Sequence, residues 1–364
     1  MRGVYCLIGK LASDVEIKVG SLGKIGFKEG YYAYVGSAMI NLEKRVERHF
    51  KKEKRVKWHI DYLVMNPHFS PMTAIYRETE SKKEEHELAG LIDGEPVPYF
   101  GSSDCSCFSH LFYVGRSLER ARIEVESAFI ELGGEHKYLE RVDSVIFDLD
   151  NTLVNYNEAR DLALSALARK YVEDPEAFLR TYNSSKQARY KKYPDSPQRY
   201  RKRPVFADVI RRMRINISPS QLEEEYWALV LSHLRPNEGA KEVLRWLKNL
   251  GIRVYIFSDG IRRWQEAKLS STSLIDMINA RLYSEDLGLN KVNPRSYEIM
   301  LSLFKLRKED AIFVGDCYDT DVRVPLKIGL RSVLLTKENP PQKPIGAPII
   351  ASLVELKGIL RFVL

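Results

Sequence analysis

Ser144-Val145-Ile146-Phe147-Asp148-Leu149-Asp150-Asn151-Thr152 is the stretch whose reading decides the fold. A short apolar run ends in two acids two positions apart. Alternate residues of an extended chain share a face, so Asp148 and Asp150 project together if extension persists. Two neighbouring carboxylates repel as anions, and a divalent cation or a shared proton must relieve them. Magnesium suits such a place, because it takes few carboxylates, keeps waters and accepts phosphate oxygens.

Downstream, further short apolar runs read as strands: Val254 to Phe257, Ile278 to Tyr283, Ile312 to Val314, Ser332 to Leu335, and Ile349-Ile350. Helical patterns at 239–249, 294–305 and 320–328 separate them. Strands alternating with helices predict a parallel sheet covered on both faces. Sites in such sheets lie at the carboxyl ends of the strands. The polar residues fall there. Ser258-Asp259-Gly260 follows one strand, Gly315-Asp316 ends another with Asp319 and Asp321 beyond, and Lys291 lies in a loop before Pro294. A hydroxyl and an ammonium suit phosphate oxygens, while the acids suit a metal and a nucleophile.

These four elements, in this order, resemble the motifs of the haloacid dehalogenase-like (HAD) hydrolase superfamily over about 143–364. The resemblance implies a Rossmann-like, doubly wound parallel α/β sheet with a helical cap. Asp148 would be the nucleophile that takes a phosphoryl group, and Asp150 the general acid and then base. Thr152 would hold Asp150 or the turn. Ser258, Asp259 and Lys291 would face the phosphoryl group. Mg2+ would bind Asp148, the Asp150 backbone carbonyl and Asp316, with Asp321 acting through water or Lys291. Asp319 is the rival to Asp321, which the usual motif spacing favours. Val292 and Asp259 stand where the family often has proline and asparagine, and neither change removes a catalytic group. Dehalogenase members lack the second acid of the first motif, so Asp150 and Asp316 argue for phosphoryl transfer.

The insert of about 156–236 reads as helical, like the family's small cap. Its stretch 180–214 holds 12 Lys/Arg against 2 Asp/Glu, interleaved with Tyr182, Tyr190, Tyr193 and Tyr200. Such a run is either a solvated face, the reading we favour, or a platform for an anionic substrate or nucleic acid.

Residues 1–115 have a different texture. Val4 to Ile8 and Tyr31 to Val35 read as strands around a glycine-rich hairpin region at 20–30, and 42–50 has helical spacing. Gly3-Val4-Tyr5, Tyr34-Val35-Gly36, Trp58-His59-Ile60-Asp61-Tyr62-Leu63 and the tail Ser102 to Tyr113 resemble the DUF123 branch of the GIY-YIG nuclease superfamily. This implies a small α+β domain in which Tyr5 or Tyr34 handles water, Arg45 clamps a phosphate and Glu85 holds a metal, with His49 an alternate base. The same residues would serve DNA or RNA binding without cleavage, or simple packing. Asp104, Cys105, Cys107, His59 and His110 invite a zinc site. Cys-x-Cys followed by His three residues on is not a finger spacing, however, so a buried turn is preferred. Residues 116–142 read as a connector helix.

Composition sets the frame. The chain has 364 residues with 44% hydrophobic and 29% charged, enough for two packed domains. No run of apolar residues is long enough for a membrane span, and four cysteines point to a reducing, cytoplasmic setting rather than a disulfide scaffold. The net charge of +8 falls in the second half: residues 1–142 hold 21 basic and 21 acidic residues, leaving 36 and 28 beyond. The expected substrate is a phosphate monoester, either a small phosphorylated metabolite or a nucleotide.

Overall fold

The computed structural model describes residues 1–103, 105–133, 135–337 and 345–361. Its architecture is α/β, with two larger sheets. The second sheet runs Ala280–Tyr283, Arg253–Ser258, Ser144–Phe147, Ala311–Gly315, Arg331–Leu335, Ile349–Ile350, all parallel. Its strands are buried on both faces, as parallel strands must be when helices cover them. Val145 and Phe147 point into one core, and Ile146 points into the core on the opposite face. Ser144–Phe147 is central, with Arg253 and Ala311 both in register with Ser144. The carboxyl ends of three adjacent strands therefore meet, and Ser258, Asp148 and Asp316 stand at those ends.

The expected strands and helices of this half are present within a few residues of their predicted bounds. The helix Arg262–Ser271 and the short helices Ser284–Leu287 and Leu356–Ile359 lie outside the expected segments; the first of them is the longest. Its sequence, Arg262-Arg263-Trp264-Gln265-Glu266-Ala267-Lys268-Leu269, has no continuous apolar stripe, because two of its buried residues are Gln265 and Lys268.

Between the strand Ser144–Phe147 and the helix Ala240–Asn249 stand four helices, Tyr156–Tyr171, Pro175–Lys192, Arg203–Met213 and Pro219–His233. Asp174 and Ser218 cap two of them, each followed by a proline at the first helical position. That arrangement satisfies the first free N–H groups with a fixed φ already suited to the helix. Phe178, Phe206, Tyr226 and Trp227 fill the space between the helices. The chain leaves and re-enters the sheet domain side by side, since Val154 bridges Pro236 and Asn237 Nδ2 donates to the carbonyls of Asn151 and Thr152.

The first sheet runs Leu360–Arg361, Lys137–Arg141, Phe69–Glu78, Gly3–Leu11, Gly30–Ala38, Leu111–Gly115, Glu95–Pro96. Its ladders are antiparallel except the one made by Leu360–Arg361. The hairpin expected at 20–30 is offset: Val15–Lys18 pairs Lys24–Phe27 as a separate ribbon. The stretch read as a connector helix is a helix, Leu118–Glu131, followed by a strand, Lys137–Arg141, that joins the first sheet. The helix buries Ala121, Val125 and Phe129 in a core that also takes Val322, Leu326 and Leu334 from the second half. Its scattered charges hid this face.

A fully buried ion cluster joins the halves. Glu140 accepts from Arg122 at 2.6 Å, Thr73 at 2.6 Å and Arg331 at 3.2 Å. Arg331 also donates to the Met72 and Glu309 carbonyls, at 2.5 and 2.9 Å. The carboxylate of Glu140 faces two guanidinium groups, so its charge is paired; an unpaired buried charge is costly.

Candidate active site

A cleft of about 300 Å³ opens at the carboxyl ends of the central strands. Asp148, Asp150, Ser258, Asp259, Lys291, Asp316 and Asp321 all line it. The geometry starts from local backbone. After Asp150 the chain turns sharply, with Asn151 at φ 62°, a left-handed conformation that asparagine tolerates better than most residues. Gly315 lets the next strand's loop fold back: a Cβ there would lie 2.2 Å from Asp321 Oδ2. Asp321 thus reaches the cluster from a π-helical turn, Tyr318–Arg323.

Lys291 Nζ lies 2.6 Å from Asp148 Oδ1 and 2.7 Å from Asp321 Oδ1. Burial disfavours its ammonium, but the facing carboxylates outweigh burial and hold it well above the ordinary lysine range. Burial raises the Asp148 carboxyl well above its usual range; Lys291 opposes this, and Asp321, Asp316 and Asp150 add to it. Asp316 is pushed up to about 6, first by burial and then by Asp321. Ligand oxygens of Asp148, Asp316 and Asp321 lie within 4.8 Å of one another. Fully ionised, three carboxylates facing one ammonium would leave two negative charges, which a divalent cation would balance. Oxygen-only donors on rigid strand ends fit a hard ion such as magnesium.

Asp319 pairs outward with Arg323 at 3.1 Å, so Asp321 rather than Asp319 joins the cluster. Thr152 Oγ1 reaches Asp316 Oδ1 at 3.4 Å, where the sequence reading had it hold Asp150 or the turn. Asp150 is held instead by Lys268, whose Nζ lies 2.7 Å from both carboxylate oxygens. Gln265 donates to Ser258 Oγ at 3.0 Å and to Asp150 at 3.4 Å. These two positioning residues were missed. Their signal was faint: a lysine and a glutamine at helical spacing, seven and ten residues beyond the serine. Asp259 accepts from the Lys291 backbone N–H at 3.0 Å and from Tyr200 of the cap at 2.8 Å.

Part of the basic cap run faces this cleft. Lys186, Tyr190, Tyr200 and Lys202 line it with Arg160. The favoured reading of that run as a solvated face is thus incomplete, because helical spacing alone could not say which way the residues turn. Arg212 is exposed, while Arg189 and Arg199 are half-buried outside the cleft lining and donate to the Gln198 and Pro194 carbonyls.

In the first half, Tyr34, Arg45 and Glu85 border a second groove of about 930 Å³, with Lys44, Arg48, Lys57 and Trp58. Arg45 stacks on Trp58, its guanidinium carbon 3.4 Å from the ring centre. Tyr5 is fully buried and bonds His49 Nε2 at 2.7 Å. Burial raises the Tyr5 hydroxyl to about 12 and lowers His49 to about 3, so both stay neutral near pH 7. Neither lines the groove. Glu85 accepts from Ser37 at 2.5 Å and pairs with His110 at 3.3 Å.

A family model described as haloacid dehalogenase-like hydrolase matches residues 142–329. A second, described as a domain of unknown function, DUF123, matches residues 4–132. The ribulose-1,5-bisphosphate 5-phosphatase of Halopiger xanaduensis is 27% identical over 199 residues, covering 52% of this chain and 83% of that protein. The glyceraldehyde 3-phosphate phosphatase of Pyrococcus furiosus is 25% identical over 202 residues, covering 54% and 81%. A crystal structure of a HAD phosphatase from Thermococcus onnurineus aligns with a TM-score of 0.48 at 20% identity, covering 60% of this chain and 97% of that one.

Proposed function

The chain belongs to the haloacid dehalogenase-like hydrolase family, and from that premise we propose that it hydrolyses a small phosphate monoester through an aspartyl-phosphate on Asp148, with magnesium as cofactor. The observation that carries this is the convergence of Asp148, Ser258 and Asp316 at adjoining strand ends with the loop residue Lys291, inside one cleft. Asp148 attacks phosphorus and takes the phosphoryl group. Asp150, oriented by Lys268, gives its proton to the leaving oxygen and then withdraws one from the attacking water. Ser258, steadied by Gln265, donates to a phosphoryl oxygen, and Lys291 offsets the charge that spreads over the others. Asp148, the Asp150 carbonyl, Asp316 and Asp321 are the groups that would hold magnesium. When bound, it neutralises phosphoryl oxygens and lets one anion approach another.

The cap supports a substrate class. Arg160, Lys186 and Lys202 stand in the cleft with the acids of the sheet domain. A substrate with a second anionic group, such as a sugar bisphosphate or a phosphorylated acid, would be held at both ends. The cleft's volume suits a metabolite better than a polymer. The test is release of inorganic phosphate from an aryl phosphate and from a panel of phosphorylated metabolites, with and without magnesium. Asp148→Asn should abolish turnover while circular dichroism stays unchanged. Full activity in that variant would end the proposal.

A second reading rests on the other groove. Lys44, Arg45, Arg48 and Lys57 around Trp58 form a basic surface with an aromatic platform. They support nucleic-acid binding by the first half, with GIY-YIG-type cleavage as its stronger form. Binding should weaken steeply with salt. Nicking of branched or flapped DNA, lost in Arg45→Ala, would separate cleavage from binding alone.

A further inference from the structure

Four potential metal ligands meet where the first half packs its longest loop against a helix. His86 lies on the helix Lys83–Leu91, while Cys105, Cys107 and His110 belong to the loop that precedes the strand Leu111–Gly115. One ligand atom from each lies within 4.8 Å of the other three. Cys105 Sγ is 3.4 Å from His110 Nε2, and Cys107 Sγ is 3.3 Å from His86 Nδ1. A tetrahedral zinc ion with ligands at ~2.1 Å (nitrogen) and ~2.3 Å (sulfur) spaces neighbouring nitrogen and sulfur by about 3.6 Å. Two independent thiol–imidazole pairs therefore sit near zinc spacing and next to each other. The sequence spacing hid this, because the fourth ligand is on another element. His59, considered earlier, accepts from the Gly101 N–H at 3.1 Å and stays outside the cluster; Asp104 lies outside the described residues.

A second observation is independent of the cluster. His110 is 2% exposed, and its Nδ1 has no well-aligned hydrogen-bond partner. It nonetheless lies 3.3 Å from Glu85 Oε1, whose other oxygen accepts from Ser37. A carboxylate behind the far nitrogen of an imidazole is the usual support of a zinc-bound histidine. The loop also needs a tie. Tyr99 sits at φ 60° and, with Phe108, is exposed rather than packed in a core. Such a backbone is strained and persists only where surrounding contacts fix it.

We propose that His86, Cys105, Cys107 and His110 bind one structural zinc ion that staples the loop to the helix. Four protein ligands close the coordination sphere, so the ion holds the fold and leaves no position for substrate. Glu85 then serves as the group that orients His110, at the edge of the basic groove. The site is independent of the phosphatase reading and of its magnesium ligands.

The test uses the full chain, purified under reducing conditions without chelator. Elemental analysis should find about one zinc per chain, unchanged in Asp148→Asn and lost in the Cys105→Ser/Cys107→Ser double variant. Cobalt exchanged into the wild type should give the visible bands of a tetrahedral ion and a near-ultraviolet thiolate band. His86→Cys should keep the metal and strengthen that thiolate band by about half, as two thiolates become three. This ligand swap reports on coordination even if the double variant misfolds. The proposal is overturned by wild-type protein that takes up neither zinc nor cobalt, by zinc that persists in the double variant, or by a Cys105–Cys107 disulfide in the freshly purified chain.

Discussion

Asp316→Asn should make the metal-free protein more stable while destroying its activity. Asp316 is raised from 3.8 to about 6, burial being the first cause and Asp321 the next. A carboxyl raised in the folded state keeps a proton that the unfolded chain has already released. The stability it contributes is complete below the unfolded value and is lost as pH rises through about 6. A displacement of about two pH units, at ~1.4 kcal/mol each, makes the wild type about 3 kcal/mol less stable at pH ~8 than at pH ~3 through this cluster. Burial and the neighbouring charges raise Asp148 as well, so the loss belongs to Asp148 and Asp316 together. Asparagine keeps the acceptor facing Thr152 and removes the charge. Urea unfolding in EDTA should show the variant gaining up to about 3 kcal/mol at pH ~8 and almost nothing at pH ~3. Magnesium should then restore the wild type selectively, by about 2.7 kcal/mol at a hundredfold excess over its dissociation constant. A gain that is equal at both pH values, or absent, would refute the electrostatic argument.

Lys268→Met removes both contacts to Asp150; steady-state kinetics should show kcat down by ~10²-fold with KM nearly constant, as expected when an acid–base group loses its orientation. Burial lowers Lys186 to about 8, with Lys202 and Arg160 adding to the effect. It is cationic below that pH and neutral above, so KM for a substrate with a second anion should rise above pH 8 in the wild type and be flat in Lys186→Met. Arg331→Met leaves Glu140 with Arg122 and Thr73 but takes the donor from the Met72 and Glu309 carbonyls; it should cost ~1–3 kcal/mol in denaturant unfolding, with both halves losing structure in one transition.

The second half was legible because its chemistry sits at strand ends. Apolar runs short enough to be strands each stop at a polar residue, and Asp148, Ser258 and Asp316 mark those stops. Lys268 and Gln265 were not legible, since a buried polar residue on a helix reads as exposed until the partner it faces is known. The direction of the cap residues had the same difficulty: Lys186 and Arg189 are three apart on one helix, yet only Lys186 lines the cleft. In the first half, Tyr5 and Tyr34 looked equivalent by motif. Strand pairing separates them, with Tyr5 beneath Gly36, where a Cβ would lie 2.6 Å from its hydroxyl, and Tyr34 at the groove. The edge of this sheet could not be read at all, because Leu360–Arg361 reaches it from the other end of the chain.

That far-reaching strand and the guanidinium of Arg331 carry a consequence for biogenesis. As the polypeptide leaves the ribosome, Glu140 emerges with Arg122 at hand, but its second arginine follows 191 residues later. The amino-terminal half therefore waits, its border open and a carboxylate short of one partner, until the catalytic half has been translated and docked. Expressed alone, residues 1–141 should be prone to aggregation through that open border. The same residues should be rescued when the remainder is supplied as a separate polypeptide.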